Sequence, residues 1–143
     1  MNHKSIGEKG QNCVIGELAK WDIPVGVMLS DNLPFELIAY LNNKLYRIQV
    51  KTSGQGDESV VKFDFSSNNW HQKTTKLYTK ADCDVIVGYD INRHNVYLFS
   101  ADDFDGRRWF NIRIEPPKNN QTKGINLHEN FVISEKRIAE VFI

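Results

Sequence analysis

The chain has few residues that could join distant segments covalently or through a metal. Its two cysteines, Cys13 and Cys83, lie far apart without Cys-x-x-Cys spacing, so we expect neither a disulfide framework nor a zinc site. Both thiols are expected to be reduced core residues. The histidines share no metal-ligand spacing and are His3, His71, His94 and His128. No serine or cysteine lies in a nucleophile motif, so nothing supports a hydrolytic triad.

Long hydrophobic runs, signal-like segments, internal repeats and low-complexity tracts are also missing. No apolar run approaches the roughly 20 residues that span a bilayer, and no apolar segment follows Met1. A soluble, cytoplasmic and nucleoid-associated protein is therefore expected. With 143 residues, 41% hydrophobic and 25% charged, the chain has the size and composition of a single domain, residues 1–143.

A surplus of positive charge, which is common in proteins that bind polyanions, is absent. Eighteen Lys and Arg residues balance eighteen Asp and Glu residues. The charges are nevertheless segregated, with six aspartates between Asp82 and Asp105 and five basic residues between Arg107 and Lys123. This distribution allows a basic face that could contact nucleic acid. The alternative is that it only keeps the surface soluble.

The residues that are present suggest a β-hairpin in the first third of the chain. Phe35 to Leu41 is apolar apart from Glu36, Asn42-Asn43 is a turn sequence, and Leu45 to Thr52 alternates like a half-buried strand. Because side chains alternate along a strand, one face is polar and the other apolar. The polar face comprises Arg47, Gln49 and Lys51, and the apolar face comprises Tyr46, Ile48 and Val50.

Glu36 on the first strand can meet the polar face of the second. An acid near the start of one strand and Gln-x-Lys late in the next would suit a nuclease centre. Side-chain oxygens hold Mg²⁺ in such a centre, and an ammonium group orients or activates the attacking water beside the scissile phosphate. The alternative is an amphipathic hairpin with a solvated polar face.

Two segments of the sequence resemble a known family. Asp31-Asn-Leu-Pro-Phe-Glu-Leu-Ile, followed by Arg47-Ile-Gln-Val-Lys-Thr-Ser, is similar to the signature of the PD-(D/E)XK endonucleases. Within that family it most resembles the Gln-x-Lys branch, which includes a homing endonuclease encoded in a cyanobacterial group I intron. The resemblance extends from about residue 5 to about residue 105, and the C-terminal strand, loop and helix over residues 106–143 show no matching motif.

The resemblance implies an α/β fold with a mixed central β-sheet flanked by helices, and a Mg²⁺-dependent DNA endonuclease activity. It assigns Glu36 and Gln49 to metal-ligand positions and Lys51 to the catalytic lysine position. It places Gln11 where a helix of the family supplies a glutamate. This sequence departs from the family pattern at two positions. The hairpin acid of the family is usually Asp, whereas here it is Glu36, and the helix position carries the neutral Gln11 instead of a glutamate. An inactivated variant is therefore one alternative.

The segment before the hairpin contains the other candidate acids. Residues 5–20 predict a helix with Ser5 as N-cap and Glu8 completing a capping box. Its inward stripe comprises Gln11, Val14, Ile15 and Leu18. Glu8 lies one turn before Gln11 and could add a charge there. Val25 to Leu29 reads as a buried strand, and Asp31 after it could be a second acid or a turn cap.

Candidate DNA-contacting residues follow the hairpin. Val60 to Phe65 predicts a third hairpin strand, and residues 66–80 form a polar surface segment with Lys, Thr and amide side chains suited to phosphate and base contacts. The DNA-binding candidates are Trp70, His71, Lys73, Lys76, Arg107 and Arg108. Ser100 is expected to cap a short helix, and a last helix is predicted from Ser134 through Ile143.

The favoured function is a site-specific endonuclease of double-stranded DNA, of the homing type. One active centre per subunit implies a homo-oligomer, a dimer or a tetramer, if both strands are cut. A Holliday-junction resolvase or a restriction-type nuclease is the alternative within the enzymes. A non-catalytic DNA-binding module is the alternative from another class.

Overall fold

In the computed structural model, residues 2–69, 72–121 and 123–143 are described. Within them, one long helix, α1 (His3–Lys20), precedes the strands, and two short helices, α2 (Ala101–Phe104) and α3 (Glu135–Val141), follow later. The strands in chain order are β1 (Val25–Val27), β2 (Leu37–Leu41), β3 (Lys44–Ser53), β4 (Val60–Asp64), β5 (Ser66–Asn69), β6 (Thr74–Leu77), β7 (Val85–Asp90), β8 (Asn95–Phe99) and β9 (Trp109–Arg113).

Five of these strands form the central sheet, in the order β1-β2-β3-β7-β8. β3 and β7 are parallel, whereas the other neighbours are antiparallel. The predicted mixed sheet of an α/β fold is thereby confirmed. The β2–β3 turn is also as predicted, because Asn42 and Asn43 have φ angles of 56° and 62°. Asparagine tolerates this left-handed conformation, which matches the twist of a two-residue hairpin.

The sheet separates two hydrophobic clusters, because side chains alternate between its faces. Val14 and Leu18 of α1 pack with Ile48 and Val50 on one face. On the other face Ile86 packs with aromatic side chains of a second layer, which include Phe63, Phe65, Phe99, Phe104 and Phe110. The polar face of β3 is turned toward this second layer, where Arg47, Gln49 and Lys51 are half-buried.

Helix α1 has the predicted inward stripe but begins one turn earlier than predicted. Asn2 is the N-cap, and its Oδ1 accepts a hydrogen bond from the Ser5 backbone N–H at 2.8 Å. Ser5 as N-cap was therefore wrong, because an Asx residue three positions earlier accepts that N–H. Val14 and Leu18 are buried and Gln11 is half-buried, as the stripe predicts.

Strand β1 differs from the buried strand predicted for Val25 to Leu29. It has three residues and pairs only with β2, which makes it the edge of the sheet. Val27 is 52% exposed and Leu29 is fully exposed. An apolar run therefore does not distinguish an edge strand from a central one.

The chain between β3 and β7 forms a second layer. The strand predicted from Val60 to Phe65 is present as β4, but it pairs antiparallel with β9, so its prediction as a third strand of the hairpin was wrong. β5 and β6 pair with each other, so part of the predicted polar segment is a hairpin. Trp70 and His71 lie outside the described residues. No described helix is long and apolar enough to cross a membrane.

The C-terminal elements pack against β8 and α2. Ser100 precedes α2 as predicted, and the Asp103 carboxylate accepts its backbone N–H at 2.9 Å. Ser134 is the N-cap of α3, which ends at Val141 rather than at Ile143. Arg137 of α3 binds Asp103 at 2.7 Å, so an ion pair joins the last helix to α2.

Candidate active site

Glu36 directly precedes β2 and lies between β3 and the residue that follows β1. Its backbone N–H donates to the Ile48 carbonyl at 2.9 Å, and its carbonyl accepts from Met28 N–H at 3.0 Å. Pairing with both neighbours therefore fixes the backbone of Glu36. Gln49 Nε2 lies 3.5 Å from Glu36 Oε2 and 3.3 Å from the Val50 carbonyl. The structure thus brings together the acid and the amide that the hairpin pattern predicts as neighbours.

The Glu36 carboxyl lies in a poorly solvated position. Burial raises its pKa to about 7, although the positive charge of Lys51 and the hydrogen bond from Gln49 both act to lower it. In the absence of another cation, the acid is thus close to half protonated at neutral pH. A cation bound beside Glu36 would favour its ionised form.

Lys51 is held on the same face of β3, two residues after Gln49. Its Nζ donates to the Ser66 carbonyl at 2.5 Å and lies 5.1 Å from the ring centroid of Tyr78. Burial lowers the pKa of Lys51, whereas the charges of Asp64 and Glu36 oppose that shift. Burial also raises the pKa of Tyr78 to about 12, so its phenol remains protonated. The ammonium is therefore oriented by fixed partners.

Two adjoining cavities, of about 560 and 720 Å³, open at these residues. Gln11, Asp31 and Glu36 border both, so the cavities form one continuous groove, which we call the Glu36 groove. The smaller cavity is also lined by Gln49, Lys76 and Tyr78, and the larger by Glu8, Lys51, Lys62 and Asp64. Gln11 reaches the groove from helix α1, on the face of the sheet opposite to Gln49 and Lys51.

The approach of α1 to β3 depends on the residue next to Gln11. Gly10 is buried, and a Cβ there would overlap with Oγ1 of Thr52 on β3. Glycine thus allows the helix to lie close enough for Gln11 to border the groove. Asp31 is exposed, and the turn-cap role suggested for it belongs to Ser30, whose Oγ accepts the Asn32 N–H at 3.4 Å.

The groove residues form a sparse set of metal ligands. No three His, Cys, Asp or Glu side chains of the described residues are grouped so that they could hold a metal ion. Glu36 is a half-buried acid with a raised pKa, and Gln49 and Gln11 offer amide oxygens beside it. These oxygens fit a hard divalent cation such as Mg²⁺, because such ions bind carboxylate, amide and water oxygens. Asp31 is an additional acid that borders both cavities.

The predicted DNA-contacting side chains are distributed over two hairpin regions. Lys76 forms an ion pair with the buried Asp82 at 3.0 Å, whereas Lys73 is exposed at the β5–β6 turn with a φ of 52°. Arg108 Nε lies 3.4 Å from Asp64 Oδ1, and Arg107 lies over the Phe110 ring at 5.6 Å. Arg108 is therefore next to the Glu36 groove through Asp64.

The basic segment from Arg107 to Lys123 does not form one continuous face. Arg113 is half-buried. Together with Lys118 it lines a separate cavity of about 930 Å³, which also contains Asp57 and Glu58. That cavity is larger than either part of the Glu36 groove, but it shares no lining residue with the groove, and none of its lining residues belongs to β2 or β3.

Sequence reasoning missed three residues near the groove, Lys62, Asp64 and Trp109. Lys62 and Asp64 line its larger cavity, and Trp109 is the strand partner of Asp64. The alternation in β4 indicated that both polar residues share one face. The partner strand could not be identified from that pattern, because β9 follows more than 40 residues later.

Comparison with known proteins connects this geometry to a family. The model of the PD-(D/E)XK endonuclease family matches residues 1–134 of the chain. Curated protein sequences give no match. Among solved structures, a bacterial homing endonuclease, I-Ssp6803I, is similar with a TM-score of 0.70 at 22% sequence identity, covering 86% of this chain and 84% of that chain. At this identity the likeness is one of fold, and the family match includes every residue of the Glu36 groove.

Proposed function

This chain belongs to the PD-(D/E)XK endonuclease family, and we propose that it is a Mg²⁺-dependent, site-specific endonuclease of double-stranded DNA. The observation on which the proposal depends is the grouping of Glu36, Gln49 and Lys51 at one groove. They come from two strands whose pairing holds the Glu36 and Gln49 side chains 3.5 Å apart. A DNA hydrolase needs oxygen ligands and a cation at one phosphate, and this grouping supplies both.

The metal site would be formed by Glu36, Gln49 and Gln11. Since Mg²⁺ binds oxygen, Gln49 would face it with Oε1, whereas Nε2 is the atom that lies near Glu36 here. When bound, the ion would neutralise phosphate charge and lower the pKa of a water. The protein's own part is to hold the Glu36 carboxyl and the two amides around one point, while the ion would itself favour the ionised form of Glu36.

Lys51 would position the attacking water and stabilise charge on the scissile phosphate. The Ser66 carbonyl and the Tyr78 ring limit the directions available to its ammonium. Because burial lowers the Lys51 pKa, proton transfer from the ammonium is easier than from an exposed lysine. The charges of Asp64 and Glu36 oppose that shift of the Lys51 pKa and favour the ammonium form.

In a homing role the enzyme would cut a defined site in double-stranded DNA in the cytoplasm. The fold of a bacterial homing endonuclease supports this choice over a junction resolvase or a restriction-type nuclease. One Glu36 groove per subunit would cut one strand, so cutting both strands would require a dimer or a tetramer. Sedimentation analysis with and without duplex DNA would measure the assembly.

The competing proposal from another class is a non-catalytic DNA-binding module. It is favoured by one observation, the neutral Gln11 at the groove where the family resemblance implies an acid. The two proposals agree on DNA binding and differ on hydrolysis. They can therefore be separated by measuring cleavage on DNA that the protein binds.

The test is nicking of supercoiled plasmid during a Mg²⁺ titration, with EDTA as the metal-free control. The endonuclease proposal expects relaxed and linear products that depend on Mg²⁺ and are lost in Glu36→Gln and Lys51→Met. Equal product in these variants would indicate a contaminating nuclease. DNA binding without cleavage by the wild-type chain, at any Mg²⁺ concentration and on a random-site library, would favour the binding module.

A further inference from the structure

Apart from Val60 at one end, the outer face of the β4–β9 ribbon is polar except for one large aromatic ring. Lys62 is the strand partner of Asn111, and Asp64 is the strand partner of Trp109. Because side chains alternate, these four share one face, while the intervening Phe63 and Phe110 are buried in the second cluster. Trp109 is 40% exposed. We call Lys62, Arg108 and Trp109 the Trp109 platform.

The platform combines two cations with one indole. Lys62 Nζ lies 4.2 Å and Arg108 Cζ lies 4.8 Å from the Trp109 ring. Within the described part of the chain, Lys62 forms no ion pair, and Asp64 partly neutralises Arg108 at 3.4 Å. The platform and Asp64 therefore have a net positive charge. Its cations are attracted to the ring and held near it rather than dispersed in solvent.

The platform is continuous with the candidate active site. Lys62 and Asp64 line the same cavity as Glu36 and Lys51, and Trp109 pairs with Asp64 across the ribbon. A DNA strand whose phosphate lies at Lys51 would thus extend along β4 toward Trp109. Its neighbouring phosphates carry negative charge, which complements Lys62 and Arg108.

We propose that the Trp109 platform binds the DNA backbone that flanks the scissile phosphate, with Lys62 and Arg108 contacting phosphates and Trp109 lying against the adjacent sugar or base. This inference rests on the proposed DNA endonuclease function. It assigns DNA contacts to Lys62 and Trp109, which sequence reasoning missed, and it assigns Arg108 to a phosphate beside the scissile one. A solvated surface ring without a ligand is the alternative.

The chemistry of the platform suits nucleic acid better than an apolar partner. Lys and Arg contact phosphate oxygens, and an aromatic ring can stack on bases or pack against sugars with little regard to sequence. A protein partner would need a larger apolar surface, whereas the outer face of the ribbon has only Val60 as an apolar side chain besides Trp109. The platform would thus hold DNA in register without selecting its sequence.

The first test measures binding of a fluorescein-labelled random-sequence duplex by anisotropy at low salt. Trp109→Ala and Lys62→Ala are each expected to weaken binding by about 5- to 20-fold, as loss of a stacking or phosphate contact does. Lys136→Ala, which removes an 86% exposed lysine on α3, is the matched control and is expected to bind like wild type. Trp109→Phe should retain part of the affinity, and melting temperatures check that each variant folds.

The second test detects contact at Trp109 directly. In a Trp21→Phe, Trp70→Phe background, saturated with duplex because Trp70 is itself a DNA-binding candidate, the duplex is expected to quench Trp109 emission and to protect it from acrylamide. Unchanged emission, together with wild-type affinity in Trp109→Ala and Lys62→Ala, would overturn the proposal that the platform binds DNA. The endonuclease proposal would remain in place. A wild-type chain that neither binds nor cleaves DNA would instead overturn the proposed function and the platform with it.

Discussion

Gln49 directs its side-chain amide nitrogen toward Glu36, with Nε2 3.5 Å from Oε2. The two residues belong to neighbouring strands, and the pairing of Leu37 with Ile48 sets their relative position. A neutral amide stabilises the buried carboxylate only partly, which agrees with a Glu36 pKa of about 7. A metal ion bound beside Glu36 would therefore offset the electrostatic cost of ionising its carboxyl.

Glu36 should make the metal-free protein less stable as the pH rises. Its folded pKa is raised from 4.5 to about 7, so the folded state binds this proton more tightly than the unfolded state. Its stabilising contribution is complete below pH 4.5 and is lost as the pH rises through 7. At pH 8 the free energy of unfolding of Glu36→Gln is therefore expected to be about 1–3 kcal/mol higher than that of wild type.

The measurement is urea denaturation of both proteins in EDTA from pH 4 to pH 8. Added Mg²⁺ should narrow the difference at pH 8, because it binds the ionised Glu36 of wild type more tightly than the neutral amide of the variant. If the difference in free energy of unfolding between the two proteins did not change with pH, the pKa of Glu36 would not be raised by folding.

Lys51→Met should remove cleavage while leaving DNA affinity within a few fold. The methionine keeps most of the buried volume of the lysine, but it cannot position water or stabilise phosphate charge. The loss of a positioned catalytic group typically costs ~10²–10⁴-fold in rate. Single-turnover plasmid cleavage and duplex anisotropy measure the two effects separately, and full activity in the purified variant would exclude Lys51 from the mechanism.

Gln11→Glu should raise Mg²⁺-dependent cleavage by an order of magnitude or more. Glutamine has the size of glutamate but lacks its charge, and Gln11 borders both cavities of the Glu36 groove. A second acid beside Glu36 should strengthen Mg²⁺ binding and water orientation, in the range of ~10²–10⁴-fold for a positioned group. Rates across a Mg²⁺ titration would test this; an unchanged maximal rate and Mg²⁺ midpoint would make position 11 a structural amide.

Gly10→Ala should move α1 away from β3. The new Cβ would overlap with Thr52 Oγ1, and overpacking of this kind typically costs about 1–3 kcal/mol, offset by about 1 kcal/mol of helix propensity. Gly7→Ala is the matched control in the same helix, because a Cβ there meets nothing within 4 Å and should stabilise the protein. Adding Thr52→Ala should restore most of the stability of Gly10→Ala, as measured by chemical denaturation.

The affinity for duplex DNA should fall steeply as salt rises. Each neutralised phosphate contributes a slope of about −0.9 in a plot of log affinity against log salt. Lys73→Ala is expected to reduce that slope more than Lys76→Ala, because Lys76 is already paired with Asp82 at 3.0 Å. Anisotropy titrations at several salt concentrations measure the slopes, and a flat dependence in wild type would argue against a nucleic-acid partner.

Local patterns in the sequence were sufficient for the hairpin and for the sides of its strands. Two asparagines formed the turn, and the period of two placed Gln49 and Lys51 on one face and Ile48 and Val50 on the other. The same holds for the inward stripe of α1 and for the Ser100 cap. These features depend on residues within a few positions of one another, so the amino-acid order alone specifies them.

Long-range pairing was decided only by the tertiary structure. The sequence could not show that β4 would pair with β9 rather than extend the central sheet, or that Val25–Val27 would lie at an exposed edge. Likewise, the positions of Lys62 and Trp109 beside the Glu36 groove depend on that pairing. Alternation states which residues share a face but not which strand lies next to it, since the choice of partner depends on burial and loop closure across the whole chain.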